Sequence, residues 1–296
     1  MKFTRSAKFA LATAASAALA FTLLTPAQAA SRSTVILHET NSITGLNCSL
    51  SATNSTTCSA VSYLQGAGFN YYNNKKELVK NTVFGSYKIV KNTATDFRTQ
   101  WTVNPGRVWS DGTPITGEDL LLSHILSSDA YSKAAGLGDP TDKKTPPAFN
   151  GLGYSGVYAN NIVGEPVLSA DKMTVTLQFK KKIANWDLYG PGPAPVHTLV
   201  LMAEGKDKLG TVAENEAARD RFVKAFKEKD TALLKKMGDV WSKDYTITTI
   251  NKDTNPLLLI SNGGFIVESA VPKTSLTLKL NPRYNSGPKM TGSIDT

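Results

Sequence analysis

Short segments in which apolar and β-branched residues cluster or alternate with polar ones predict most of the strands of this chain. Such segments lie at 34–38, 69–72, 82–90, 96–103, 174–179, 265–267 and 275–280. The first is expected to be a buried strand that opens onto a loop, and the last two are expected to pair. Asp171 and Lys172 are expected to form the turn that precedes 174–179.

Helical spacing and helix-start signals appear elsewhere. Apolar residues recur at helical spacing over 213–236, with acidic residues early and basic residues late, which predicts one or two surface helices. Thr116 and Asp119 have the spacing of a capping box at a helix start. The Gly-, Pro- and Asp-rich segment 136–158 is expected to be irregular, and 190–195 a rigid break. The interleaved elements predict one mixed α/β body.

The N-terminus has the features of a secretory signal peptide. Three basic residues among the first eight precede an apolar stretch at 9–24, and Ala27-Gln28-Ala29 offers a small-x-small cleavage site. The apolar stretch contains polar residues and falls short of the roughly 20 apolar residues that span a bilayer. We therefore predict a signal peptide at 1–29 and an exported chain at 30–296, located outside the cell, in the cell envelope or in the periplasm.

The charge of the chain does not indicate a nucleic-acid-binding protein. The net charge of +9 falls to +6 when the predicted signal peptide, with three basic residues and no acidic one, is removed. The remaining lysines are spread along the chain and no nucleic-acid-binding motif is present. We expect no nucleic-acid partner, and membrane association only through partner proteins.

The chain has two cysteines, Cys48 and Cys58, in a Ser-, Thr- and Asn-rich segment that is expected to be a loop. In an exported protein a lone pair of cysteines predicts a disulfide. The alternative, a metal site, would lack nitrogen ligands because no histidine lies nearby.

Motifs for enzymatic chemistry are not recognisable. The three histidines do not have metal-ligand spacing, and the sequence around Ser155 lacks the second glycine of a nucleophile elbow. No glycine-rich nucleotide-binding loop is present. Asp111, Glu118 and Asp119 could be read as an acid/base group, but their surroundings favour a turn and a helix cap. We expect neither a metal, a cofactor nor an enzymatic activity.

The segment 108–119 resembles a characteristic motif of the family 5 bacterial extracellular solute-binding proteins, the peptide, dipeptide and nickel receptors of ABC importers. The motif positions are Trp109, Ser110, Asp111, Gly112, Thr113, Pro114, Thr116 and Asp119. We expect these residues to be structural. Trp109 should be buried at a corner of the fold, and Asp111 should form the turn after it.

Three further segments are similar to this family in the expected order. They are 185–188 with 195–197, then 261–265, and then 276–284, which includes Asn281, Pro282 and Tyr284. Two features depart from the family pattern. Gly264-Phe265 stands where the family has Pro-Tyr, and no lipobox cysteine follows the signal peptide.

The resemblance implies a mixed-sheet lobe of a two-lobed, class II periplasmic-binding-protein-like fold. Residues 30–296 are expected to be the N-terminal lobe only, because the Asn-Pro-x-Tyr strand normally precedes the second lobe. A truncated gene, an incomplete sequence and a natural one-lobed protein all remain open.

The resemblance also implies a function. We expect the substrate-binding component of an ABC importer, with an oligopeptide or similar small solute as ligand and the permease subunits as partners. Thr40, Asn41 and Ser42 are the candidate solute contacts, because the family's loop after the first strand faces the ligand. The alternatives are a secreted hydrolase with a scattered active site and a surface adhesion or structural domain.

Overall fold

A computed structural model describes residues 35–142 and 144–288. The predicted signal peptide at 1–29 lies outside the described residues. Residues 39–142 and 144–288 belong to one compact unit. No helix within the described ranges combines the length and apolar character needed to cross a membrane.

The strands of the described residues form three antiparallel sheets. In chain order they are β1 (Asn70–Tyr72), β2 (Leu78–Lys80), β3 (Gly85–Asn92), β4 (Phe97–Val103), β5 (Val167–Leu168), β6 (Thr174–Phe179), β7 (Phe265–Val271) and β8 (Ser275–Leu280). The largest sheet has four strands in the order β3-β4-β6-β5, while β1 pairs with β2 and β7 pairs with β8. The predicted pairing of the last two strands is confirmed.

The helices are mostly short. In chain order they are α1 (Thr56–Gln65), α2 (Leu122–Ile125), α3 (Asp129–Ala134), α4 (Val157–Asn161), α5 (Val196–Ala203), α6 (Val212–Glu228) and α7 (Thr231–Lys243). The described part of the chain also contains 3-10 turns at Gly117–Leu120, Trp186–Leu188, Asp244–Thr246 and Pro256–Leu259. The surface helices predicted at 213–236 are confirmed as α6 and α7.

The core lies against one face of the four-stranded sheet. Alternate residues of β4 and β6 are buried, as the period-two pattern predicts. Trp101 on β4 is covered by Gly190, where any side chain would overlap the indole ring. Helix α5 is buried over most of its length and packs against α6 and α7. The interleaved sheet and helices confirm the mixed α/β prediction.

The strand predicted at 34–38 is wrong for the residues that the structure describes. Residues 35–38 form no strand, and the side chains of Ile36 and Leu37 are 76% and 74% exposed. A β-branched run forms a strand only where a neighbouring strand supplies hydrogen-bond partners, so local propensity alone is insufficient.

His124 is buried in an aromatic cluster. Its ring packs edge-on against Tyr131, Tyr158 and Phe226, and its Nδ1 atom lies 2.9 Å from the Tyr158 hydroxyl. Burial, assisted by the charge of Lys229, lowers the pKa of His124 to about 3. The histidine is therefore neutral in the folded protein at neutral pH.

This burial predicts an acid sensitivity that His124→Gln should reduce. Because the folded-state pKa lies below the unfolded value of about 6.5, the stabilisation is present above pH 6.5 and is lost as the pH falls towards 3. Between pH 7 and pH 5 the natural chain should lose about 2 kcal/mol more than the variant. Urea unfolding at pH 7, 6 and 5 measures this difference, and equal losses in both proteins would contradict it.

Candidate functional site

A solvent-open groove of about 910 Å³ lies on the surface of the described residues. Residues of α1 and the loop after it, the proline segment 193–195 and the turn 258–264 all contribute to its lining. The volume falls in the range typical of ligand-binding clefts. Several segments that carry the family resemblance meet here, so we treat this groove as the candidate site.

Two parts of the groove lining are hydrogen-bonded to each other. The Gly263 amide donates to the Gln65 carbonyl at 2.7 Å. The Asn262 side chain donates to the Ala67 carbonyl at 2.8 Å and accepts from the Ala67 amide at 3.0 Å. A side chain at Gly263 would overlap the backbone of residues 64–66. Glycine is therefore required here, because the two backbones approach so closely.

The segment 281–284 holds this glycine turn in place. Asn281 donates from its side chain to the Gly263 carbonyl and from its amide to the Gly264 carbonyl, both at 2.9 Å. Its side-chain oxygen accepts from the Arg283 amide at 3.0 Å. Pro282 lies in the exposed turn, and Tyr284 lines the groove.

Trp109 begins a tight turn and contributes to the groove. It is 2% exposed, and its amide donates to the Thr113 carbonyl at 2.9 Å. Gly112 has a φ of +94° in this turn, and the Thr113 amide donates to Asp111 Oδ1 at 2.9 Å. The predictions that Trp109 is buried and that Asp111 forms the turn are confirmed.

Ser110 links this turn to the groove segment 261–264. Its amide donates to the Ser261 carbonyl at 2.8 Å, and its hydroxyl accepts from the Ser261 amide at 3.1 Å. Two motif segments that are 151 residues apart are thus joined by reciprocal hydrogen bonds.

Asp111 has a second role that the sequence did not indicate. Its Oδ2 atom lies 2.9 Å from His197 Nε2 and accepts from the Asn215 side chain at 3.1 Å. Burial raises the pKa of Asp111, but His197 and the hydrogen bonds from Thr113 outweigh it and hold the pKa below its usual range. The buried pair fastens the turn to α5 and α6.

The predicted capping box is confirmed at Thr116 and Asp119. The Thr116 amide donates to Asp119 Oδ2 at 2.9 Å, and the Thr116 hydroxyl accepts from the Glu118 amide at 3.2 Å. The box begins a 3-10 turn that leads into α2, and not one continuous helix.

Arg219 neutralises two buried acids at this turn. Its guanidinium lies 3.0 Å from Glu118 Oε2 and 3.4 Å from Asp119 Oδ2, and it also donates to the Pro114 carbonyl. Burial raises the pKa of Asp119 to about 6, although the charge of Arg219 opposes this shift. These charges lie away from the groove lining and hold the motif segment against α6.

The predicted disulfide between Cys48 and Cys58 is confirmed, with 5.7 Å between the Cα atoms. Cys58 lies in α1 and not in a loop, and the Ser55 hydroxyl caps this helix by accepting from the Cys58 amide. Cys48 lines the groove. The bond therefore ties the segment before α1 to the helix that contributes to the site.

Loss of this bond is expected to lower the free energy of unfolding by about 2–3 kcal/mol, because the unfolded chain gains loop entropy. Cys48→Ala with Cys58→Ala tests this by urea unfolding. The reduced natural chain is the control, because it lacks the bond but keeps both side chains. A loss below about 0.5 kcal/mol in both proteins would contradict the expectation.

Thr40, Asn41 and Ser42 are exposed, and none of them belongs to the groove lining. The Asn41 carbonyl accepts from the Thr57 hydroxyl at 2.9 Å, and the Ser42 hydroxyl accepts from the Lys273 amide at 2.7 Å. These contacts place the segment beside α1 and the β7–β8 turn. A solute contact by these three residues stays a prediction.

The groove also contains aromatic residues that the sequence reasoning missed. Trp241 at the end of α7 and Tyr245 in the next 3-10 turn both line it, with their ring centroids 6.4 Å apart. Their spacing of four residues near a helix end is an available signal, but it does not distinguish a groove from a core. Burial raises the pKa of Tyr245 to about 12, so its hydroxyl is neutral at ordinary pH.

Comparison with known proteins gives likeness in fold but not in sequence. No family model and no curated protein matches the chain. Among solved structures, the periplasmic EDTA-binding protein EppA superposes with a TM-score of 0.53 at 18% identity, over 85% of this chain and 36% of its own.

Two other solved structures give lower scores. The oligopeptide-binding protein of Thermus thermophilus, solved with a pentapeptide, has a TM-score of 0.47 at 15% identity, over 82% of this chain and 37% of its own. AppA of Bacillus subtilis, solved with a nonapeptide, has a TM-score of 0.47 at 13% identity, over 84% and 36%.

The chain therefore spans little more than a third of the length of these proteins. Likeness at such low identity concerns the fold alone. The described residues have the mixed α/β architecture of one lobe of a periplasmic-binding-protein-like fold.

Proposed function

We propose that this chain is the extracytoplasmic solute-binding component of an ABC importer for peptides or similar small solutes, and that the groove holds the solute. One observation carries the proposal. Trp109, Pro195, Ser261 and Tyr284 belong to four separate segments that resemble the family, and all four line one groove. Clefts lined by apolar and aromatic side chains with a few polar groups are the usual place for a solute site.

The fold supports the same class of function. EppA, whose fold the chain shares, is a periplasmic binding protein for EDTA. In the proposed cycle residues 1–29 direct export and are then removed, and the mature chain takes up its solute outside the cytoplasm and delivers it to the permease subunits. It contacts the membrane only through these partners. Thr40, Asn41 and Ser42 are retained as proposed secondary contacts at the solute's periphery.

The groove is tested by a matched pair of variants on α1. Ser59 is exposed and lines the groove, while its neighbour Ala60 is exposed and does not. Ser59→Trp should fill the groove, and Ala60→Trp should place the same side chain elsewhere on the same helix. Both should leave thermal unfolding nearly unchanged, since exposed substitutions have small effects.

The protein is purified under native conditions and then denatured, and the small molecules that it releases are identified by mass spectrometry. The solute identified in this way is then titrated against each protein by calorimetry. The natural chain and Ala60→Trp should retain the solute, and Ser59→Trp should lose it or bind it at least about tenfold more weakly. Retention by Ser59→Trp would place the site elsewhere. Turnover of peptides by the natural chain would favour a secreted hydrolase instead.

A further inference from the structure

The described residues that line the groove are all uncharged. Thirty described residues line it, and none of these is Asp, Glu, Lys, Arg or His. Charged residues make up 19% of the chain, so about six would be expected in a lining of that size. A second depression of the described surface, about 480 Å³, is lined mainly by charged residues such as Glu118, Lys172 and Asp220. The lack of charge therefore distinguishes the groove from this second depression.

The groove lining consists of two kinds of uncharged group. Apolar and aromatic side chains include Trp241, Tyr245, Ile260 and Phe265. Uncharged polar side chains include Gln65 and serines of α1. Aromatic and amide surfaces of this kind pack against apolar or planar groups and form hydrogen bonds with uncharged partners.

Tyr245 and Tyr284 do not supply charge either. Burial raises the pKa of Tyr245 to about 12 and also raises the pKa of Tyr284. Both hydroxyls are therefore neutral hydrogen-bonding groups at ordinary pH.

A charged group that enters such a groove would lose water without gaining an opposite charge, which is strongly unfavourable. An amide or hydroxyl would lose water but recover hydrogen bonds from the lining. The groove consequently discriminates between solutes by charge. A charged group binds poorly because its charge has no partner, whereas an uncharged group binds through packing and neutral hydrogen bonds.

Resting on the proposed function, we propose that the part of the solute held in this groove is uncharged, namely a peptide segment whose side chains are apolar, aromatic or amide-bearing. Charged ends or side chains of the solute lie outside the groove.

The test is a panel of N-acetylated, C-amidated pentapeptides titrated against the natural chain by calorimetry. Members with Leu, Tyr or Gln at the central position should bind. Replacement of that residue by Lys or Glu should weaken binding by about tenfold or more. Peptides with the same central residue but free or blocked termini are also titrated, and their affinities are compared. This comparison shows separately whether binding requires a charged terminus.

An isosteric variant that adds a charge to the groove should change the preference between the Lys and Glu peptides, which a change in fold stability alone would not do. Gln65 is half-buried and lines the groove, and Gln65→Glu should strengthen binding of the Lys peptide by about tenfold and weaken that of the Glu peptide. Gln178 on β6 is also half-buried but lies outside the groove lining. Gln178→Glu should therefore change the affinity for neither the Lys peptide nor the Glu peptide.

The outcomes separate this inference from the proposed function. If the Lys or Glu peptides bind as tightly as the uncharged ones, a peptide receptor remains but the inference is overturned. If no peptide of the panel binds, the proposed function fails and the inference fails with it. If light scattering shows a dimer that dissociates when the groove is filled by Ser59→Trp, a second copy of the chain is the occupant and the inference is overturned.

Discussion

Arg219→Met is expected to lower the free energy of unfolding by about 3–5 kcal/mol at neutral pH. Arg219 is 4% exposed and lies 3.0 Å from Glu118 and 3.4 Å from Asp119, while the half-exposed Lys172 ammonium also lies 3.0 Å from Glu118. Removal of Arg219 leaves Glu118 with Lys172 alone and the buried Asp119 carboxylate without its cation, so Asp119 must stay unpaired or take up a proton. Equilibrium urea unfolding measures the loss directly.

Arg221→Met is the matched control for this variant. Arg221 lies on the same helix, but its pair with Glu204 is exposed, so its loss should cost no more than about 1 kcal/mol. The Arg219→Met deficit should also shrink as the pH falls below about 6, because Asp119 is then protonated in the folded chain with or without the arginine. Similar losses for both arginines would mean that the buried ion cluster does not hold the motif segment.

Trp109→Ala is expected to cost about 3–5 kcal/mol, because it removes a fully packed indole at the point where the turn meets the groove. The Trp109 ring lies 6.3 Å from the His197 ring, centroid to centroid, behind the turn that Asp111 holds. Because the residue also lines the groove, solute binding should weaken together with stability.

Trp109→Phe separates these contributions, because it keeps most of the apolar volume and should cost less than about half as much. Urea unfolding gives the stability of both variants, and titration under conditions where both are folded gives the affinity. A cost below about 1 kcal/mol for Trp109→Ala would show that the corner is not packed around this residue.

Elements with a strong local pattern could be predicted from the sequence. The alternation at β4 and β6, the two amphipathic helices α6 and α7, and the capping box at Thr116 and Asp119 each depend on neighbours within a few residues. The strand expected at 34–38 is wrong for the described residues 35–38, because strand formation does not depend on neighbouring residues alone. A strand requires a pairing partner, and an apolar run does not reveal whether one is present.

The candidate site could be predicted only in part. The motif segments indicated which residues matter, and Cys48 and Cys58 could be paired because no other cysteine exists. The contact between Asp111 and His197 joins residues 86 apart, and no local pattern specifies such a pair. Trp241 and Tyr245 were missed because an aromatic pair near a helix end is equally typical of a core.

The central claim is that the groove is the solute-binding surface, and hydrogen exchange with and without a saturating uncharged pentapeptide tests it most directly. Binding at the groove should slow exchange of backbone amides in the loop after α1 and in the turn 258–264, because the bound peptide shields both and suppresses their opening. Residues 40–42, as proposed contacts at the solute's periphery, should gain less protection than these two segments. Protection confined to 40–42, with no change in the two groove segments, would contradict the account.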